Sequence, residues 1–129
     1  MAKNGSLQCS VITPEEQVLD TTAASVVIPA HDGLVGILKG RAPMLCELGI
    51  GVLRVDSVEY FVDGGFAQVL DNNVTLLTER AGAADKINRS EAQAALAEAE
   101  QMPSSDERSA EARHKAIARA KVRVKLASK

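Results

Sequence analysis

The sequence predicts a two-part β + α protein: an N-terminal antiparallel β-sandwich of about 8–10 short strands over residues 1–82, then a C-terminal antiparallel two-helix hairpin over residues 83–129. Three features carry that prediction. The first 80 residues are short β-branched and apolar runs broken by turn formers roughly every eight to twelve positions. At 81–85, Ala-Gly-Ala-Ala-Asp, the composition switches to Ala, Glu, Lys and Arg. Within that second stretch, Met102-Pro103-Ser104-Ser105-Asp106 is a single break. A chain of 129 residues has room for one modest core and an appendage.

The strands follow in order. Leu7, Cys9 and Val11 alternate with Gln8, Ser10 and Ile12, and Thr13-Pro14-Glu15-Glu16 turns the chain. Residues 22–28 read as the next strand, ended by Pro29-Ala30-His31-Asp32-Gly33. Segments 34–38, 44–48, 52–56, 58–62, 66–70 and 74–78 continue the series, separated by Gly, Pro, Asp and Asn. With aromatics at 2% of the chain, the core has to be built from Val, Ile, Leu and Ala. Gly33, Gly36, Gly49, Gly51, Gly64 and Gly65 are expected at tight turns or close strand crossings, and Pro43 at the start of an edge strand.

The hairpin is read from period and caps. Ala92, Ala95, Leu96 and Ala99 recur at helical spacing; Ser90 with Gln93 forms a capping-box spacing, and Asn88 is an equally good start. Pro103 ends that helix, and a second runs from about Asp106 to near Ala127. It carries two apolar strips. Ala116, Ile117, Ala120, Val124 and Ala127 share an arc about 100° wide, and Ala118, Val122 and Leu126 form another. Each strip buries little area, so the second is expected to be spare and the docking weak enough for one partner to be exchanged for another.

The net charge of −2 conceals a division. Residues 1–80 hold five Lys or Arg against ten Asp or Glu, residues 81–105 two against four, and residues 106–129 eight against three. An acidic body thus bears a basic tail suited to acidic surface, its own or a partner's. Cys9 and Cys46 lack CxxC spacing, the opening residues contain no apolar signal segment, and the expectation is two buried, reduced thiols in a cytosolic protein. No run approaches the ~18 apolar residues of a membrane helix.

Catalytic patterns are missing. Gly33, Gly36 and Gly40 spell no phosphate loop, His31 and His114 have no partner at metal-ligand spacing, and Glu15-Glu16 after Thr-Pro reads as a solvated turn. No catalytic, metal or cofactor-binding residue is expected. The basic tail keeps a nucleic-acid-binding module open as an alternative, although it has no stacking aromatic and no recognition motif.

The segment Ile28-Pro29-Ala30-His31-Asp32-Gly33-Leu34-Val35-Gly36-Ile37-Leu38-Lys39-Gly40-Arg41-Ala42-Pro43-Met44-Leu45 resembles the signature of the F-type ATP synthase epsilon subunits. Residues 48–55, 61–69 and 73–78 are similar to that family's later strands. The resemblance implies a non-catalytic central-stalk subunit at the cytoplasmic face of a bacterial inner membrane, a plastid thylakoid being the other setting. Its partners would be the gamma shaft along one flank of the sandwich, the membrane c-ring, and the alpha and beta catalytic subunits.

The resemblance also places His31, Asp32 and Gly33, together with Lys39, Gly40, Arg41 and Ala42, at the ring-facing end of the sandwich. In the same way the hairpin would inhibit ATP hydrolysis by rising along the shaft, with Arg113, Lys115, Arg119, Lys121, Arg123 and Lys125 meeting acidic catalytic subunits. Against that role each of these cations can equally be a solvated helix surface.

Two departures stand out. Lys39 and Arg41 replace the proline and histidine of the family's Pro-x-His-Ala-Pro. In the segment that resembles a nucleotide motif of some members, Ile-Asp-x-x-Arg-Ala, Asn88 stands for the aspartate and Glu91 for the arginine. A glutamate repels phosphate, so no tight ATP site is expected.

Overall fold

The computed structural model describes residues 6–127. The described residues form eight strands: β1 (Leu7–Ile12), β2 (Gln17–Ala23), β3 (Ser25–Ala30), β4 (Gly33–Leu38), β5 (Met44–Val55), β6 (Val58–Leu70), β7 (Asn73–Leu77) and β8 (Ala81–Ala83). A 3₁₀ turn, Ala84–Lys86, leads to α1 (Arg89–Glu100) and α2 (Glu107–Ala127). The hydrogen-bonded order is β2-β1-β7-β6-β5-β3-β4, with β8 on β6. All pairs are antiparallel except β1 with β7, which is parallel.

Two long strands turn this path into a sandwich. Residues 44–48 of β5 pair with 65–69 of β6 beside β7, β1 and β2; residues 50–55 pair with 58–63 beside β3, β4 and β8. The bend between the halves lies at glycines. Gly64 and Gly65 hold φ of 69° and 102°, and a Cβ on Gly65 would sit 1.9 Å from the Leu77 carbonyl oxygen. One on Gly51 would meet the Pro29 ring at 2.8 Å. The expected separate strands 44–48 and 52–56, and likewise 58–62 and 66–70, are therefore single bent strands, because these glycines redirect the chain without ending its pairing. Gly36 has open space around its missing side chain, so its expected steric role is absent.

The expected strand 22–28 straddles a break between β2 and β3. Asp56, in left-handed conformation at the β5–β6 turn, accepts the N–H groups of Ala24 (2.9 Å) and Ser25 (3.1 Å), and this pulls the chain out of one sheet into the other.

The core follows the alternation. Leu7, Cys9 and Val11 of β1 meet Val26 and Ile28 of β3, Leu53 and Val55 of β5, Val62, Ala67 and Val69 of β6, and Val74 and Leu76 of β7. Each fully buried Val, Leu or Ile contributes roughly 1.5–3 kcal/mol. Cys9 is buried and Cys46 half-buried, and both are free thiols.

Asn88, not Ser90, caps α1: its Oδ1 accepts the Glu91 N–H at 3.0 Å. Asp106 caps α2 by accepting the Ser109 N–H at 2.7 Å, while Ser109 Oγ accepts the Asp106 N–H at 3.2 Å. Neither apolar strip of α2 is spare. Ala116 and Ala120 line the seam with Ala95 and Ala99 of α1 and Met102 just beyond it, whereas Ala118 and Val122 face the sandwich beside Ile50. Both seams are occupied at once, because α2 lies between α1 and the sheet.

Candidate functional site

The outer faces of the two sheet halves differ. Along the half containing β7, register sets Glu47, Phe66, Leu77 and Ile12 in one row and Leu45, Gln68, Thr75 and Ser10 in the next. Leu45 is 71% exposed, and Phe66 and Leu77 are 54% exposed each. Leu70 on the same face is exposed too. One of the chain's two phenylalanines thus stands in solvent among leucines, a cluster of the kind that marks a docking surface.

The other half is covered. α2 packs on β5, β6 and the 3₁₀ turn. Phe61 and Asp63, on the outward side of β6, are buried there, and Arg119 Nε donates to Asp63 Oδ2 at 2.6 Å. A cleft of about 660 Å³ remains beside this pair, lined by His31, Glu47, Glu79, Arg80, His114 and Lys115 among others. Among the described residues no three His, Cys, Asp or Glu side chains form a metal cluster, and no helix is long and apolar enough to cross a membrane.

His31, Asp32 and Gly33 form the exposed turn from β3 to β4, with the His31 N–H donated to the Glu47 carbonyl at 2.8 Å. Lys39, Gly40, Arg41 and Ala42 form the exposed loop from β4 to β5. Gly40 adopts φ of 87° and donates its N–H to Asn72 Oδ1 at 2.8 Å. The two segments are not one end of the sandwich, as the sequence reading had it, because they cap opposite ends of β4. At ~3.3 Å per residue they stand roughly 20 Å apart. What joins them is the free edge of β4, with Leu34 and Leu38 exposed and Arg41 folded back to donate to the Gly36 carbonyl at 3.2 Å. A cation folded over the edge strand from the following loop also discourages strand addition.

The six helix cations are not one solvated stripe. Arg113 donates to the Glu100 carbonyl at 3.0 Å and so closes the C-terminus of α1. Lys115 pairs with Glu111 one turn away at 3.3 Å, Arg119 holds Asp63, and Arg123 is half-buried by the cleft that Phe61, Arg80 and Lys86 also line. Lys121 and Lys125 are exposed. Sequence reasoning missed Asp63 and the Leu45, Phe66 and Leu77 cluster, since a strand's outward side is legible only when its register is known.

Residues 6–84 match the family of ATP synthase delta/epsilon chain β-sandwich domains. Over 120 residues, covering 90% of this chain and 94% of the relative, it is 48% identical to the ATP synthase epsilon chain of Rhodopirellula baltica. The chain belongs to the ATP synthase epsilon-chain family. An epsilon chain from a Cyanothece species is 38% identical over 131 residues, covering 95% of each. A chain in the cryo-EM structure of the Euglena gracilis mitochondrial ATP synthase OSCP/F1/c-ring assembly superposes with a TM-score of 0.79 at 25% identity, covering 91% of this chain and 78% of that one. A chain of the Tetrahymena thermophila mitochondrial central stalk and c-ring, at 15% identity and a TM-score of 0.63, shares the fold. In this epsilon-family chain Asn88 is occupied in capping α1, and Glu91 sits exposed in the first helical turn.

Proposed function

We propose that this chain is the non-catalytic central-stalk subunit that ties a gamma-type shaft to the membrane c-ring, on the cytoplasmic side of a bacterial inner membrane. One observation carries the reading: the sandwich has one outer face covered by its own hairpin and an opposite face, with Leu45, Phe66 and Leu77, left bare. A bare apolar sheet face beside polar Gln68, Thr75 and Ser10 fits a long helical shaft. The turn at His31, Asp32 and Gly33 and the loop from Lys39 to Ala42 are the ring-facing candidates, linked along the β4 edge. The hairpin is the regulatory arm that restrains ATP hydrolysis by the alpha and beta subunits, and no tight ATP site is part of it.

Co-purification tests the shaft face. The full chain is expected to bring down a gamma-type shaft with the catalytic subunits, and Phe66→Asp with Leu77→Asp is expected to lose them while retaining its strand content by circular dichroism. A wild-type chain without affinity for the shaft, or recovery with RNA and a steep salt dependence, would overturn the assignment.

A further inference from the structure

Asp63 carries a carboxylate whose partner, Arg119, lies on α2. It stands on β6 just before the bend at Gly64 and Gly65, and its N–H is held by the Arg80 carbonyl (3.1 Å) and Thr78 Oγ1 (3.2 Å). Register places it opposite Ile50 on the outward side, where α2 covers it to 7% exposure. A carboxylate enclosed without a partner is heavily penalised, and Arg119 is the group that relieves the penalty, with side-chain exposures of 27% and 9% for the two. Beside the pair, α2 presents Ala118, with Val122 one turn further on, toward Leu48 and Ile50 of β5. One residue of slippage along α2 turns a side chain by ~100°, so Ala118 or Ala120 would then face the carboxylate.

We propose that the Asp63–Arg119 pair is a charged latch that sets both the register and the population of the docked hairpin. Resting on the reading of the hairpin as a regulatory arm, the inference assigns its control: Arg119 is neutralised while docked and becomes available to an acidic partner surface on release. Because release hydrates both charges, the pair is close to neutral in net terms, and the sensitivity lies in losing one member. Removing Arg119 leaves Asp63 enclosed and unpaired, whereas Asp63→Asn leaves Arg119, which has more access to water, with an amide acceptor. Arg119→Met, which keeps the aliphatic stem, should therefore undock the hairpin more than Asp63→Asn, and the double variant Asp63→Asn/Arg119→Met should recover much of the loss.

Amide hydrogen exchange on the full chain reads this directly, because an undocked Ala-rich hairpin is marginal as a helix and exchanges quickly. Expected for Arg119→Met is at least tenfold faster exchange in α2 with β1 and β7 unchanged, a smaller rise for Asp63→Asn, and exchange in the double variant well below that of Arg119→Met. Exchange in Arg119→Met within twofold of wild type, or strictly additive effects, would show that packing alone holds the hairpin. Loss of protection in β1 and β7 as well would make the pair a folding element and overturn the latch. The reconstituted complex separates the two readings: faster exchange in α2 of Asp63→Asn, which retains Arg119, with unchanged ATP hydrolysis leaves the latch standing and removes the inhibitory role of the hairpin.

Discussion

Cys9 on β1 and Cys46 on β5, with β7 and β6 between their strands, have different surroundings. Cys9 is fully enclosed by the core, and burial, with Asp20 adding to it, pushes its thiol up to about 12. Cys46 is half-exposed and its thiol is raised by burial and by Asp32, with Arg41 opposing. At pH 8 an alkylating reagent should modify Cys46 in the native protein and Cys9 only at the rate of unfolding, which mass spectrometry of timed samples resolves. A thiol raised in the folded state contributes stability that is full below the ordinary thiol value of ~8.5 and lost as pH climbs towards about 12. Urea midpoints should therefore fall across that alkaline window. The alternation of Leu7, Cys9 and Val11 announces the burial of Cys9. The half-exposure of Cys46 depends on its place near the sheet edge, which its neighbours in sequence do not reveal.

α2 begins where Asp106 and Ser109 hold each other, and the hydrogen bonds from Ser109 draw the Asp106 carboxyl below its usual range. For a depressed carboxylate the contribution is present above its unfolded value and disappears as pH falls through the folded one. Acidification into that range, or Asp106→Ala at neutral pH, should loosen the first turn of α2, seen as faster exchange of the Ser109 amide. The start of α2 was legible because a cap is a local interaction across three residues. The strands were less so: a glycine pair reads the same whether it ends a strand or bends it, and only the Leu77 carbonyl lying against Gly65 distinguishes the two.

Across the whole molecule, the hairpin covers one sheet face and leaves the other bare. Deletion of residues 106–129 should raise ATP hydrolysis by the assembled complex while gamma still co-purifies, because the proposed shaft contacts lie on the face away from α2. Unchanged hydrolysis, measured with a coupled assay, would mean that the tail does not restrain the enzyme. The deletion also removes Arg119, so the Asp63 carboxylate becomes hydrated and the remaining sandwich should keep its fold.

Fold class, the change from strands to helices near 81–85, the helix caps and the alternating core were readable from the chain, since each depends on period and on contacts within a few residues. The distant relations were decided by the tertiary structure. Phe66 joins Leu77 and Leu45 only once strand register is set, and the expected ring-facing segments separate only once β4 lies between them. Arg119 reaches across 56 positions to Asp63 only after the two sheets bend over one another and α2 lies down on the second. Such pairings depend on the three-dimensional path of the backbone, which no local pattern of residue types encodes.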